Sequence, residues 1–167
     1  MSHTPFDSNA IVYACIEALK DMAVQVVLTT GHQSLPKDVF PLPPNFRHAS
    51  FVPGLAMAER SDLLIHHGGY GSCQTGLFTG TPTLAIPTFS ERESNARRIA
   101  AVGAGDFVLP TADFSGKKKS VQVMEVREKV NRILSNASFK ENSRRIRDKI
   151  RGYGGASYAA SLIDDFV

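Results

Sequence analysis

The stretch SDLLIHHGGYGS, residues 61–72, decides the fold because an apolar run leads directly into a glycine-rich turn. Residues 62–66 are predicted to form a short buried strand. The glycines that follow allow the backbone to turn tightly, and we expect a helix to begin near Ser72. A strand, a glycine turn and a helix in this order are typical of the sheet edge at which open α/β proteins bind ligands.

Strand-like and helix-like segments alternate on both sides of this stretch. The predicted helices cover residues 7–22, 54–60, 72–78, 93–104, 120–136, 138–152 and 156–166, and the predicted strands cover residues 24–31, 47–52, 62–66, 83–87 and 106–109. This alternation, with short connections, indicates a parallel sheet covered by helices on both faces. We therefore predict one α/β domain, residues 1–167, with a Rossmann-like doubly wound parallel sheet.

Composition excludes several classes of protein. The chain has 167 residues, 43% hydrophobic and 21% charged, so it can bury a sizeable core. It has no apolar run long enough for a transmembrane segment and no signal-peptide pattern, so a cytoplasmic location is expected. Its net charge of +3 comes from basic residues on helices that also carry acidic ones, which does not favour nucleic-acid binding. Cys15 and Cys73 lack neighbours at metal-ligand spacing, so no metal site is predicted.

The glycine turn has the features of an anion site. Backbone N–H groups can approach a ligand closely where glycines remove the Cβ, and the start of the next helix carries a partial positive charge. The Ser72 hydroxyl and an imidazole N–H of His67 can donate to phosphate oxygens. By spacing alone, a simple turn with polar histidines at a strand end remains an alternative. The pattern matches neither the dinucleotide-binding glycine motif nor the P-loop.

Three blocks of sequence carry a more specific signal. Residues 51–54 read FVPG, residues 67–75 read HGGYGSCQT with GTP at 80–82, and residues 87–96 read PTFSERESNA. In this order and at these separations, they resemble the C-terminal, donor-binding half of GT-B fold glycosyltransferases. The resemblance is especially to the UDP-glycosyltransferase family and its bacterial natural-product relatives. The resemblance implies the C-terminal half of a GT-B fold that lacks its first strand, with the N-terminal acceptor domain absent from this chain.

The resemblance also implies which residues bind the donor. They are Phe51, Val52, Pro53, His67, Gly68, Gly69, Tyr70, Gly71, Ser72, Thr75, Glu91, Arg92 and Asn95. Phe51 would stack on the nucleotide base, next to the backbone of Val52, although a buried core phenylalanine is the alternative. Thr75 stands where many relatives have a ribose-binding glutamate.

The same resemblance assigns the diphosphate and the sugar. His67, Gly69, Gly71 and Ser72 would hold the diphosphate. Glu91 and Arg92 replace an Asp-Gln pair that binds sugar hydroxyls, and the Arg92 charge is expected to change sugar preference. Asn95 would either reach the donor or bind locally.

The function implied is that of an inverting, metal-independent glycosyltransferase. It would transfer a hexosyl group from a UDP- or dTDP-sugar to an acceptor hydroxyl, with the nucleotide sugar as donor substrate and no cofactor. His67 and Ser72 would stabilise the leaving diphosphate, and no other catalytic residue is expected in this chain. The acceptor-binding domain would act in cis or as a separate subunit in trans, so the isolated chain would be inactive.

Two alternatives stay open. The chain could be a non-catalytic nucleotide-sugar binding module, or the donor subunit of a split glycosyltransferase. It could also belong to another GT-B enzyme, such as a sugar-nucleotide epimerase or a lipid-linked N-acetylglucosamine transferase. Transfer of a labelled sugar after an acceptor domain is added would distinguish a glycosyltransferase from a binding module. An epimerised product without an acceptor would indicate another GT-B enzyme.

Overall fold

The computed structural model describes residues 8–112 and 119–165, and within them it has an α/β fold. The helices are α1 (Ser8–Leu19), α2 (Gly54–Glu59), α3 (Tyr70–Thr79), α4 (Ser90–Ala101), α5 (Val123–Ser135), α6 (Ala137–Arg151) and α7 (Gly155–Asp164), and a single 3-10 turn covers Lys37–Val39. The strands are β1 (Val26–Thr29), β2 (Phe46–Ala49), β3 (Leu64–His66), β4 (Thr83–Ala85), β5 (Gly105–Phe107), β6 (Thr111–Ala112) and β7 (Lys119–Ser120). The predicted helices 7–22 and 156–166 each include one position, 7 or 166, that lies outside the described residues.

The five longer strands pair in parallel, as predicted. β1 pairs with β2, and β3, β4 and β5 form a second parallel group in that order. The strands therefore lie in two hydrogen-bonded groups, where the sequence predicted one sheet. Because the paired strands are parallel, their carboxyl ends share one edge within each group.

The core is built from the strands and from the apolar stripes of two helices. Leu84 on β4, and Ile86 and Val108 directly after β4 and β5, are fully buried. On α5, Val126 and Val130 are buried one turn apart, which is the spacing of a helix face that packs against a sheet. α1 packs against α5, and a second, smaller cluster of buried residues lies between α3, α4 and α6.

Several element bounds also differ from the sequence prediction. α3 begins at Tyr70 and α4 at Ser90, so both helices start earlier than expected. The short antiparallel pair of β6 and β7 was not predicted. The shift of α3 has a chemical consequence, because it places Gly71 and Ser72 inside the first helical turn.

None of the described helices combines the length and the apolar character needed to cross a membrane.

Candidate functional site

The connection between β3 and α3 consists of three residues, 67–69. Gly68, in its middle, has a φ of +80°. A Cβ added at Gly68 would lie 2.8 Å from the carbonyl oxygen of Arg92, at the start of α4. Glycine is therefore required here both for the left-handed backbone and for the close approach of the loop to α4.

His66 holds this loop from the strand side. The residue is buried, and its Nδ1 accepts a hydrogen bond from the N–H of Gly68 at 2.9 Å. Burial, and to a lesser extent the neighbouring His67, lowers the pKa of His66 to about 4. The ring is thus neutral near pH 7, and because Nδ1 is an acceptor, we assign the proton to Nε2. Within the described residues, Nε2 has no hydrogen-bond partner.

Asn95 holds the same loop from the side of α4. Its Nδ2 donates to the carbonyl oxygen of Gly68 at 3.2 Å and to Oε1 of Glu91 at 2.7 Å. Cys73 Sγ lies 3.6 Å from the same carbonyl. Both backbone groups of Gly68 are therefore bound by side chains from outside the loop. We considered that Asn95 reaches the donor or binds locally, and both hydrogen bonds observed here are local.

The N-terminus of α3 is open. Gly69 precedes the helix in an extended conformation and provides no side-chain cap, and the first hydrogen bond of the helix runs from the N–H of Cys73 to the carbonyl of Gly69 at 3.0 Å. The N–H groups of Tyr70, Gly71 and Ser72 accordingly have no acceptor within the helix. A Cβ at Gly71 would have no heavy atom within 4 Å outside the backbone of its own helix, so Gly71 faces open space. Such a helix start attracts anions.

His67 lies directly beside the helix start. A Cβ added at Gly69 would lie 2.4 Å from His67 Nε2, so the imidazole occupies the space that the glycine leaves. Partial desolvation and then the positive charge of Arg92 lower the pKa of His67, while Glu91 acts in the opposite direction. The uncharged ring presents one N–H donor, and the charged ring would present two.

Arg92 provides a fixed positive charge in the first turn of α4. Its Nη1 donates to Oγ1 of Thr88, and the guanidinium lies over the ring of Phe89 at 4.8 Å from the ring centre. These two contacts hold the planar group in one orientation. Glu91, next to it, is exposed and accepts the hydrogen bond from Asn95. The structure thus brings residues 67–72 of the loop and α3 together with Glu91, Arg92 and Asn95.

Phe51, Val52 and Pro53 directly precede the short helix α2. This helix packs against α3. Phe51 is 60% exposed, so its interpretation as a buried core residue is wrong. Its ring stacks on that of His32, with ring centres 5.2 Å apart and planes inclined by 8°. Pro53 precedes α2 in an extended conformation, and Val52 is half-buried.

A groove of about 290 Å³ lies between α2 and α3. It is lined by Leu55, Gly71, Gln74, Thr75 and Phe78. Thr75 donates its hydroxyl proton to the carbonyl of Gly71 at 3.0 Å, so this hydroxyl can act towards a ligand only as an acceptor. A larger cavity of about 610 Å³ is lined by residues of α1, of the loop around Val39 and of residues 119–123, and none of the predicted site residues borders it.

Two side chains near the carboxyl ends of strands were missed by the sequence analysis. His66 and His32 were assigned to no site, although the histidine pair at the end of a strand and before a glycine was a usable signal for His66. For His32 there was none, because its contact with Phe51 joins the ends of two different strands. Groups of three or more metal-ligating side chains do not occur in the described part of the chain.

Comparison with known proteins gives a consistent result. Residues 13–153 match the family described as "Erythromycin biosynthesis protein CIII-like, C-terminal domain". The chain is 32% identical over 157 residues to demethyllactenocin mycarosyltransferase of Streptomyces fradiae, covering 94% of this chain and 32% of that protein. It is 31% identical over 153 residues to the NDP-glycosyltransferase YjiC of Bacillus subtilis (strain 168), covering 92% of this chain and 37% of that protein.

A solved structure, that of the glycosyltransferase of kitacinnamycin, superimposes with a TM-score of 0.80 at 27% identity. The match covers 99% of this chain and 41% of that one. The predicted resemblance and the predicted fold class, the C-terminal half of a GT-B fold, are confirmed by these matches. The chain spans about a third of the length of the two curated relatives, which are both named as glycosyltransferases. The expected absence of a first strand stays a prediction.

Proposed function

This chain belongs to the family of erythromycin biosynthesis protein CIII-like C-terminal domains, and from that premise we propose that it is the nucleotide-sugar donor domain of an inverting glycosyltransferase. The observation that carries the proposal is the uncapped start of α3, with His67 and Arg92 beside it. Three backbone N–H groups without an acceptor in the helix lie beside an imidazole, with a guanidinium nearby, and this combination of donors suits a diphosphate.

The donor is a UDP- or dTDP-sugar that carries a hexosyl group. In this proposal the diphosphate binds at residues 67–72, the base stacks on Phe51 next to Val52 and Pro53, and the ribose lies along the groove at Thr75. Glu91 accepts hydrogen bonds from sugar hydroxyls, and Arg92 donates to them. The groove between α2 and α3 supports this path, since Gly71 and Thr75 both line it.

The chemistry follows from where charge develops. As the bond from the sugar C1 to the diphosphate breaks, negative charge grows on the leaving phosphate oxygen. N–H groups fixed at the start of α3 stabilise that charge without reorganising, and His67 and Ser72 add hydrogen bonds. These donors belong to the chain itself, which supports a metal-independent reaction with no cofactor.

The acceptor and its general base come from another domain, in cis or in trans. Inversion requires a base that removes the proton of the acceptor hydroxyl on the side of the sugar opposite the diphosphate. The two relatives are about two and a half to three times as long as this chain, which supports a further domain in the working enzyme. The isolated chain is then expected to bind donor without transferring sugar. A cytoplasmic location stays a prediction.

Calorimetric titration of the 167-residue chain with UDP, dTDP and GDP tests the donor site. Saturable binding of UDP or dTDP is expected, and Ser72→Ala and His67→Ala should each weaken it by about 1 kcal/mol or more, the value of a charge-assisted hydrogen bond. A folded chain that binds none of the three diphosphates would contradict the proposal.

A second assay tests the reaction class. Addition of an acceptor domain and a labelled UDP-sugar should give transfer with inverted configuration. Binding without transfer would favour a non-catalytic module, and a changed sugar released without acceptor would favour an epimerase of the same fold.

A further inference from the structure

The carboxyl end of β1 has an unusual backbone. Gly31 and His32, two and three residues beyond the strand, both adopt left-handed conformations, with φ of +58° and +70°. Such a φ is uncommon for a residue with a side chain and persists only where the surroundings hold it. Here the N–H of His32 donates to the carbonyl oxygen of Ser50 at 2.8 Å, which ties the end of β1 to the segment that follows β2.

This backbone directs the imidazole of His32 onto Phe51. The two ring planes are inclined by only 8°, and their centres are 5.2 Å apart, which corresponds to an offset stack. Both residues are exposed, and Phe51 keeps 60% of its surface accessible. A stacked pair of rings is therefore presented to solvent at the edge where the parallel strands end.

We infer that His32 is part of the nucleobase subsite and positions the ring of Phe51. The imidazole covers part of one face of Phe51 and restricts its rotation, and the planar base of a nucleoside diphosphate stacks on the other face. A ring that is held before the ligand arrives loses less freedom on binding, so the pair binds a base more tightly than Phe51 alone. This inference rests on the proposed function, because it names the group that recognises the base of the same donor.

The matched variant is His32→Asn. Asparagine is among the residues that tolerate the left-handed conformation, so the backbone at position 32 is kept while the ring is lost. UDP and inorganic pyrophosphate are titrated in parallel against the 167-residue chain and the variant, with folding checked by circular dichroism and thermal melting. Without the restraint on Phe51, its side chain must be ordered when the ligand binds, so UDP binding should weaken on the order of three- to ten-fold. Pyrophosphate, which has no base, should bind equally to both proteins.

Two further variants calibrate the result. Phe51→Leu removes the stacking platform itself and should weaken UDP more than His32→Asn does, with pyrophosphate again unaffected. His32→Tyr restores a ring at position 32, but tyrosine is strained at this φ, so its thermal melting is compared with that of His32→Asn. At matched stability, it should recover most of the affinity for UDP.

The outcomes separate this inference from the function on which it rests. UDP binding that is unchanged or tighter in His32→Asn would overturn the inference alone; tighter binding would mean that the imidazole occupies the face that the base needs. An equal loss for UDP and pyrophosphate, or a folded His32→Tyr that recovers nothing, would reduce His32 to a structural residue and overturn it as well. A wild-type chain that binds pyrophosphate but no nucleoside diphosphate would refute the proposed donor site and this inference with it.

Discussion

Gly71→Asp tests the anion site by changing stability and binding in opposite directions. Gly71 is the second residue of α3, and a Cβ there meets no heavy atom within 4 Å outside its own helix, so a side chain can begin there without a clash. A carboxylate in the first turn complements the partial positive charge of the helix start and should stabilise the fold by about 0.3–1 kcal/mol. The same carboxylate would lie next to the bound diphosphate and repel it.

The loss of binding can be approximated from Coulomb's law. At a separation of about 5 Å and an effective dielectric constant of about 40, two unit negative charges repel by about 1.7 kcal/mol. A diphosphate that carries more than one charge within this range gives a total of about 2–3 kcal/mol, or roughly 30- to 150-fold in the dissociation constant for UDP. Gly71→Asn, which has nearly the same shape without the charge, is the matched control.

The assay combines thermal melting with calorimetric titration of UDP for the wild type, Gly71→Asp and Gly71→Asn. The expected result is a melting temperature for Gly71→Asp at or above that of the wild type, together with the large loss of UDP affinity. Gly71→Asn should lose far less. If folded Gly71→Asp binds UDP as well as Gly71→Asn does, the diphosphate does not bind at the start of α3.

Three further predictions concern the loop and its histidines. Because the pKa of His66 is about 4 when folded and about 6.5 when unfolded, the unfolded chain binds more protons between these values, and the free energy of unfolding should fall by roughly 3 kcal/mol from pH 7 to pH 4. Urea unfolding of His66→Asn, whose Oδ1 can still accept from Gly68, should lack this part of the pH dependence, and an identical dependence in both proteins would contradict it. Gly68→Ala should lower the free energy of unfolding by about 1–3 kcal/mol, because alanine is strained at this φ and its Cβ would lie 2.8 Å from the Arg92 carbonyl; a wild-type urea midpoint would show that the loop can move away. His67 has a lowered pKa in the free protein, and a bound diphosphate favours its charged form, so UDP affinity should rise from pH 8 to pH 6 more steeply in the wild type than in His67→Gln. Equal slopes in the two proteins would mean that His67 takes up no proton on binding.

Hydrophobic periodicity predicted the order and type of the longer elements because each buries a regular face. Val126 and Val130 on α5 are an example, since their spacing alone indicates a helix against a sheet. The boundaries were less accurate where that signal is missing. Residues 90–95 contain no apolar side chain, so the first turn of α4 could not be recognised, and glycine is a poor helix former, so α3 was predicted to start after Gly71.

The candidate site was predicted only in part, because short motifs identify residues that are contiguous in sequence and not the contacts between distant ones. The glycine turn and the blocks around Phe51 and Glu91 are contiguous in sequence, so a pattern can identify them. The contacts that hold the site together are not contiguous: Asn95 and Gly68 are 27 positions apart, and His32 reaches Phe51 from the end of another strand. Such contacts depend on how the strands are ordered, which local sequence does not encode.

The contacts that hold Gly68 affect which positions of this site can be substituted during evolution. The turn owes its shape to His66 and Asn95, which lie on a strand and on another helix. Tyr70, by contrast, is 68% exposed, and Gly71 faces open space, so neither is needed to keep the turn in place. If the turn binds the diphosphate as proposed, substitutions at these two positions should change donor preference while the backbone of the turn stays as it is. A library randomised at positions 70 and 71 should then yield folded proteins with new preferences far more often than one randomised at 66 and 95.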